Sequence, residues 1–536
     1  MDFDALQYPY PSRRNVIFAS QGMVATSQPL AAQAGLRVLQ QGGNAVDAAV
    51  ATAASLTVVE PTSNGIGSDA FAQVWFQGKL YGLNASGPAP RSLSASAVRA
   101  TGLASMPAYG WLPVTVPGAP AAWAALSKRF GQLPFEKLFE AAVLYATEGY
   151  PVSPELGRSW ASAYHAYRHV LQGALYAPWF ETFAPAGHPP AIGQIWRSSD
   201  HARTLVRIAE SKSEAFYRGD LAERIDAFSR ATGGLLRFGD LAAYQPEWVE
   251  PLSVQFRDYR VWELPPNGQG LVALIALGIL DGFEAVSTPT VESVHQAIEA
   301  IKLAFVEGHH WIADPRFREV PTQQLLSTDH LEVLRRRIGK QARLPERNAD
   351  ASGGTVYLAT ADAAGNMVSY IQSNYQGFGS GIVVPNTGIA LQDRGETFSL
   401  DPKAANVAEG GKRPYQTIIP GFLTMQGEPV GPFGVMGGFM QPQGHVQVLL
   451  RCIDEAANPQ AALDAPRWQW IDGNRVAFEH SYPTHLVEAL ARRGHQAEIP
   501  LLSTAFGRGQ IIWRDSHSGV LAGATEPRTD GCVAAW

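Results

Sequence analysis

"DASGGTVYLATAD", residues 350–362, sets two glycines, Gly353 and Gly354, directly before Thr355 and an alternating, strand-like run. As local structure this is a glycine turn leading into a strand that a β-branched threonine opens well. As chemistry it reads differently. A threonine hydroxyl is a weak nucleophile unless a base adjoins it, and a free α-amino group is one such base. An internal threonine has no free amine, but it gains one if its hydroxyl attacks the preceding carbonyl and the resulting ester is hydrolysed. A preceding glycine pair would let the backbone adopt the strained approach that such an attack needs. Spacing alone leaves both readings standing.

The rest of the chain narrows the classes. Its 536 residues are 46% hydrophobic and 17% charged, the composition of a soluble globular protein with a large core. The net charge of −6, with "RRR" at 335–337 as the densest basic run, argues against a nucleic-acid partner. Cys452 and Cys532 are the only cysteines, which excludes a disulfide scaffold and a multi-cysteine metal site. The stretch "MDFDALQYPYPSRRNVIF" has no charged-then-apolar export pattern, and no run reaches the roughly 18 apolar residues of a membrane span. The expectation is a cytoplasmic protein with no membrane partner.

Residues 29–61 are alanine-rich at helical spacing and predict two helices around Gly42-Gly43, the second buried all round. "DAFAQVWFQGKLYGLNA" predicts a hairpin, and helical spacing returns between residues 118 and 150. Residues 150–200, rich in Pro, Trp and Tyr, read as an irregular cover, and 291–313 as a long amphipathic helix. "QARLPERNADASGG" reads as an exposed linker. Strands then recur, in "TVYLATADAAGNMVSYIQSNY", "GIALQD" and "TIIPGFLTMQ", before a helix in "HVQVLLRCIDEA". The 350–362 stretch thus lies between a helix-rich and a strand-rich half.

Other motifs carry less. "GFGSG" (377–381) and "NGIGS" (64–68) lack the strand, helix and acidic residue of a dinucleotide site, so close backbone approach to something small is the better reading. No G-x-S-x-G elbow occurs, and His309-His310 diverge on a helix, so no metal site is expected. Gly437-Gly438 in "MGGF" is either a plain turn or a pair of N–H groups presented to a developing oxyanion.

With "GMVATSQPLAAQAGLRVLQQGGNAVDAAVATAASLTVVEPTSNGIGSDAF", "LPPNGQGLVALIALGIL", "GGTVYLATADAAGNMVSYIQSNYQGFGSG", "KRPYQTIIPGFL" and "GVMGGF" in this order, the chain resembles the γ-glutamyltransferase family of N-terminal-nucleophile hydrolases. The resemblance implies an α+β fold, a four-layer αββα sandwich. It implies self-cleavage between Gly354 and Thr355 into pieces 1–354 and 355–536 that stay associated, a dimer of such units being compatible with it. Thr355 would supply nucleophile and base, Ser373 a second hydroxyl bonded to it, and Gly437 and Gly438 the oxyanion hole. No cofactor is implied.

The sequence departs from the family where members grip the zwitterionic end of a γ-glutamyl group. Ser86, in "ASGPAP", stands where an arginine is expected, Gln416 and Thr417 replace a serine pair, Tyr375 an asparagine, and Thr397 an acidic residue. Each charge-assisted hydrogen bond lost is worth about 1.5–3 kcal/mol, so the acyl donor is expected to differ while the bond-breaking parts remain. Such departures resemble a non-exported subgroup that includes oxamate amidohydrolase of purine-ring catabolism, cephalosporin acylase-like proteins and glutathione hydrolase-like proteins. The expected reaction is hydrolysis of a small amide, oxamate first, with a glutaryl- or aminoadipyl-cephalosporin or a γ-glutamyl amide as alternatives and a non-catalytic relative as the rival of another class. A donor carboxylate still needs a cation, and Arg394, then Arg91, are the candidates.

Overall fold

The computed structural model describes residues 14–345, 354–501 and 503–536. The first thirteen residues, Gly353 and most of the expected linker lie outside the described residues. Two seven-stranded sheets, antiparallel at every pairing, organise the chain. One runs, in spatial order, through Cys532–Ala535, Gly22–Thr26, Gly354–Asp362, Met367–Tyr375, Asp69–Phe76, Lys79–Ala85 and Glu247–Val249. The other runs through Ile17–Ala19, Leu521–Thr525, Arg508–Arg514, Glu428–Met436, Gly421–Met425, Tyr259–Glu263 and Leu252–Phe256.

The two-residue period of a strand explains how these layers meet. Along Gly354–Asp362, Val356 and Leu358 join the core shared with the helices Pro29–Gln40 and Ala45–Val59. Tyr357, Ala359 and Ala361 turn the other way and pack with Phe422, Met436 and Ile512 of the second sheet. That sheet buries its far side against Gly270–Leu280 and Met440–Leu449, and Val291–Trp311 packs on Gly270–Leu280 in turn. Alternation therefore fixes which face Thr355 shares: the space between the sheets.

Local signals account for the elements that hold the junction strand. Asn44 and Asp47 form a capping box on Ala45–Val59, and Asp362 at the far end of the junction strand accepts a hydrogen bond from Ala45 N at 2.9 Å. The Gly42 turn has φ +91°, a conformation that suits glycine. Both helices and the 69–85 hairpin stand where the sequence places them, and Val291–Trp311 matches the long helix.

Three expectations need correction. Residues 150–200 are not irregular: Pro154–Val170 and Ala177–Phe183 are helices, with Leu156, Trp160 and Tyr167 buried along one face of the first. The aromatic richness reflects a ring cluster around Phe378 rather than loop structure. The strand in "TIIPGFLTMQ" starts only at Gly421, after a proline without an N–H to pair, and "GIALQD" keeps only Ile389–Ala390. Both sheets mix strands from before and after residue 340.

The sheets approach closely at Gly434, where an added Cβ would stand 2.5 Å from the Tyr357 ring. Gly434→Ala should therefore destabilise the chain by about 1–3 kcal/mol through overpacking. Gly43, where an added Cβ would stand 2.7 Å from the Val38 side chain, is no fair control; Gly339, with open space around it, is, and Gly339→Ala should leave the urea midpoint within a few tenths of a molar unit.

Candidate active site

The ladder between Gly354–Asp362 and Met367–Tyr375 slips at Thr355. Gly354 pairs with Tyr375 but Val356 pairs with Gln372, so Ser373 and Asn374 together oppose Thr355. This bulge brings two hydroxyls from neighbouring strands together, Thr355 Oγ1 and Ser373 Oγ, 3.0 Å apart. Ser373 Oγ also donates to the Gly354 carbonyl at 2.7 Å, the carbonyl of the Gly354–Thr355 peptide bond. Tyr375 ends the strand at φ +77°, a strained value for a residue with a bulky side chain, and its N–H donates to Ser373 Oγ at 2.8 Å. Thr355 itself is 1% exposed.

Glycine is required here for space. A Cβ on Gly354 would stand 2.9 Å from the Gly377 nitrogen and 3.4 Å from Ser63 Cα. The two glycine-rich loops thus wrap the junction. Gly67 passes so close to Ala390 that a Cβ would lie 2.2 Å from its carbonyl oxygen. What the loops approach is the protein's own backbone.

Arg394 stands behind this pair. It is fully buried, its Nη2 donates to Ser373 Oγ (3.3 Å), its Nη1 donates to Thr417 Oγ1 (2.6 Å), and its guanidinium lies 4.2 Å over the Tyr375 ring. Thr397 Oγ1 donates to the Arg394 carbonyl at 2.9 Å. Gln416 donates through Nε2 to Asp69 at 2.9 Å and accepts the Thr417 N–H at 3.2 Å. Four positions that depart from the family pattern, Tyr375, Thr397, Gln416 and Thr417, are therefore gathered around one cation. Ser86 is not among them; it is buried in a separate network with Asn84 and Asn267.

The charge balance around Arg394 is unusual. Among the described residues no carboxylate lies within 4.0 Å of it, and its Nε has no hydrogen-bond partner. Burial pulls the guanidinium below its ordinary pKa, opposed by Tyr375, Asp69 and Asp393. Arg91 does not join the site. Its side chain is 69% exposed and lies 3.9 Å from Asp240.

Gly437 and Gly438 leave the second sheet at Met436 with φ +134° and +58°. Their carbonyls accept Met440 N and Gln441 N, starting the helix Met440–Leu449. Gln269 ties this turn to the cation's neighbours, since its Nε2 donates to the carbonyls of Thr417 (2.7 Å) and Gly438 (2.9 Å).

Sequence reasoning missed Gln269 and Asp69. Asp69 opposes Ser373 across the ladder and accepts Gly87 N at 3.2 Å as well as Gln416. A carboxylate inside the apolar run "SDAFAQVW" was the available signal. For metal binding, His295, Glu299 and His495 alone among the described residues bring three ligand atoms together, within 4.8 Å of one another. There Lys302 Nζ already donates to Glu299 at 2.8 Å, so the donor set does not suit a cation.

The chain is similar to known proteins over nearly its whole length. The family described as Gamma-glutamyltranspeptidase matches residues 31–536. A glutathione hydrolase-like YwrD proenzyme of Bacillus subtilis is 34% identical over 96% of this chain and 99% of its own length. An oxamate amidohydrolase proenzyme of Klebsiella pneumoniae is 34% identical over 97% of this chain and 99% of its own. The crystal structure of a cephalosporin acylase from Bacillus halodurans superposes with a TM-score of 0.97 at 59% identity, covering 100% of this chain and 99% of that one.

Burial pushes the Asp69 carboxyl up to about 7, with Arg394, the Gly87 N–H and Gln416 pulling the other way. The folded chain then holds a proton that the unfolded chain releases at about 4, so this group's contribution to stability falls as pH rises from about 4 to 7. In Asp69→Asn the decline of melting temperature between pH 5 and pH 8 should be shallower than in the native chain.

Proposed function

The chain belongs to the gamma-glutamyltranspeptidase family of N-terminal-nucleophile hydrolases, and from that premise we propose that it hydrolyses a small amide whose acyl group carries a carboxylate, oxamate being the first choice. As a member of this family it is an enzyme of amide bonds that matures by cutting its own chain. In our reading the cut falls between Gly354 and Thr355 and yields pieces 1–354 and 355–536, which the mixed sheets keep together. The facing sheets with helices on their outer sides are read as the αββα sandwich.

In the cut enzyme the Thr355 hydroxyl attacks the substrate carbonyl while the new α-amino group takes its proton. The N–H groups of Gly437 and Gly438 receive the oxyanion, as suits a turn without Cβ atoms. The amine then protonates the leaving nitrogen, ammonia in the case of oxamate, and water cleaves the acyl–Thr355 ester. Ser373 holds the nucleophile, which supports a working enzyme over a non-catalytic relative.

Arg394, buried and without a directly paired carboxylate among the described residues, carries the choice of substrate. A buried cation without a carboxylate is costly, and a ligand carboxylate offsets that cost. Arg394 Nη2 is 3.3 Å from Ser373 Oγ, which is 3.0 Å from Thr355 Oγ1, so the cation lies two hydrogen bonds from the nucleophile. A carboxylate bonded directly to the acyl carbon spans that gap. An extended glutaryl group, with methylenes between its ends, overshoots it. The likeness to a cephalosporin acylase at 59% identity favours the second reading, a glutaryl- or aminoadipyl-cephalosporin donor.

Two measurements test this. Processed enzyme given equal oxamate, glutaryl-cephalosporin and γ-glutamyl anilide should consume oxamate first, as followed by product mass; prior loss of the glutaryl compound would establish the second reading instead. Normalised to processed chain, Arg394→Gln should raise KM for the preferred donor roughly tenfold or more, the weight of one charge-assisted hydrogen bond, whereas Thr355→Ala should abolish both self-cleavage and turnover.

A further inference from the structure

We propose that Arg394 has an earlier task than substrate binding: it promotes the self-cleavage of the Gly354–Thr355 bond by charging the Ser373 hydroxyl that donates to the carbonyl being cut. The proposal rests on the cleavage position given above, but on no property of the substrate.

Hydrogen-bond accounting at Ser373 leads there. A serine hydroxyl has one proton and two lone pairs. The proton goes to Gly354 O at 2.7 Å. Tyr375 N–H, at 2.8 Å, and Arg394 Nη2–H, at 3.3 Å, point into the lone pairs. A hydroxyl that accepts from a cation is a stronger donor in turn, because each bond of the chain polarises the next. The Gly354 carbonyl is therefore polarised by a relay that ends on a full positive charge, while Thr355 Oγ1 waits 3.0 Å from the relaying oxygen.

Asp69, Asp393 and Glu396 act on this charge from a distance, but none of them is close enough to form an ion pair with it, so it stays directed at Ser373. Burial lowers the local dielectric and strengthens its field at Ser373. Thr417 and the Tyr375 face fix the guanidinium without neutralising it. Its Nε remains unpartnered. Arg394 is here a positioning and polarising residue, acting through Ser373 rather than on the reacting atoms.

The step it assists balances as follows. Thr355 Oγ1 bonds to the Gly354 carbonyl carbon, and the carbonyl electron pair moves onto the oxygen held by Ser373. When the pair returns, the bond from carbon to the Thr355 nitrogen breaks, and that nitrogen gains the proton given up by the hydroxyl. The result is an ester isomeric with the peptide. Water then cleaves it, leaving a Gly354 carboxylate, a free Thr355 hydroxyl and a free Thr355 amine. Negative charge develops on the Gly354 oxygen when Thr355 attacks and again when water attacks the ester, so a charged relay accelerates both additions.

The test uses the full chain made in a cell-free system, with conversion into pieces 1–354 and 355–536 followed in time and no donor present. Arg394→Gln should slow conversion by about tenfold or more, while Arg394→Lys, which keeps the charge, should stay much nearer the native rate at neutral pH. Melting of Arg394→Gln in a Thr355→Ala background, against Thr355→Ala alone, reports whether the variant folds. A folded Arg394→Gln that converts at the native rate overturns the proposal. If Arg394→Gln does not fold, Arg394→Lys decides. Facing Asp69, Asp393, Glu396 and Tyr375, its buried ammonium loses its proton as pH rises, and conversion must slow with it, a limb the native arginine lacks. A Lys variant whose pH profile parallels the native one overturns the proposal. Because no donor is present, this result and the KM result can fail separately.

Discussion

The arrangement of Thr355, Ser373 and the Gly354 carbonyl depends on one slip of register. Had the strands Gly354–Asp362 and Met367–Tyr375 kept an unbroken ladder, Thr355 would face a single partner. Because Ser373 and Asn374 share the place opposite Thr355, the Ser373 hydroxyl reaches both the threonine and the carbonyl before it. The backbone carries the cost at Tyr375, at φ +77°, and recovers part of it through the N–H that this conformation turns onto Ser373. The two sheets hold the bulge from both sides, the helices Pro29–Gln40 and Ala45–Val59 behind it and the second sheet in front.

Around that slip, four of the departures from the family pattern lie together. Tyr375 supplies a ring under Arg394, Thr417 an acceptor for Nη1, and Thr397 a donor to its carbonyl, while Gln416 holds Asp69. Tyr375 and Thr417 seat the buried guanidinium directly, while Ser86 lies apart with Asn84 and Asn267. A buried cation costs several kcal/mol unless something compensates it. Such a cost is sustained at a site that recognises an anion more readily than in a passive core.

Much of this was legible in the chain. The Gly354-Thr355 junction was visible in residue type and order, Ser373 through the family resemblance and Arg394 as a candidate cation near a departed position, and the structure brings Thr355, Ser373 and Arg394 into one network. The helices at 29–59 were legible because alanine-rich spacing and a capping box are local signals. The cover at 150–200 was misjudged because Trp, Tyr and Pro resemble loop composition, whereas their burial around Phe378 is a property of the assembled fold. Arg91 and Arg394 could not be told apart from sequence beyond their proximity to a motif; one lies at the surface and the other in the core.

The sequence by itself determined the family, the strand-like alternation that begins at Thr355, and the residues that depart from the family pattern. These are carried by residue identity and by periods of two and 3.6, which act over a few neighbours. Tertiary structure alone decided that Ser373 relays between Thr355, Gly354 and Arg394, that Asp69 opposes Ser373, and that Gln269 joins Gly438 to Thr417. Each of these depends on bringing together residues far apart in the chain, and on a bulge that shifts one strand against its neighbour by a single residue. Side-chain direction in a sheet reverses with every residue, so no local pattern could have specified that outcome.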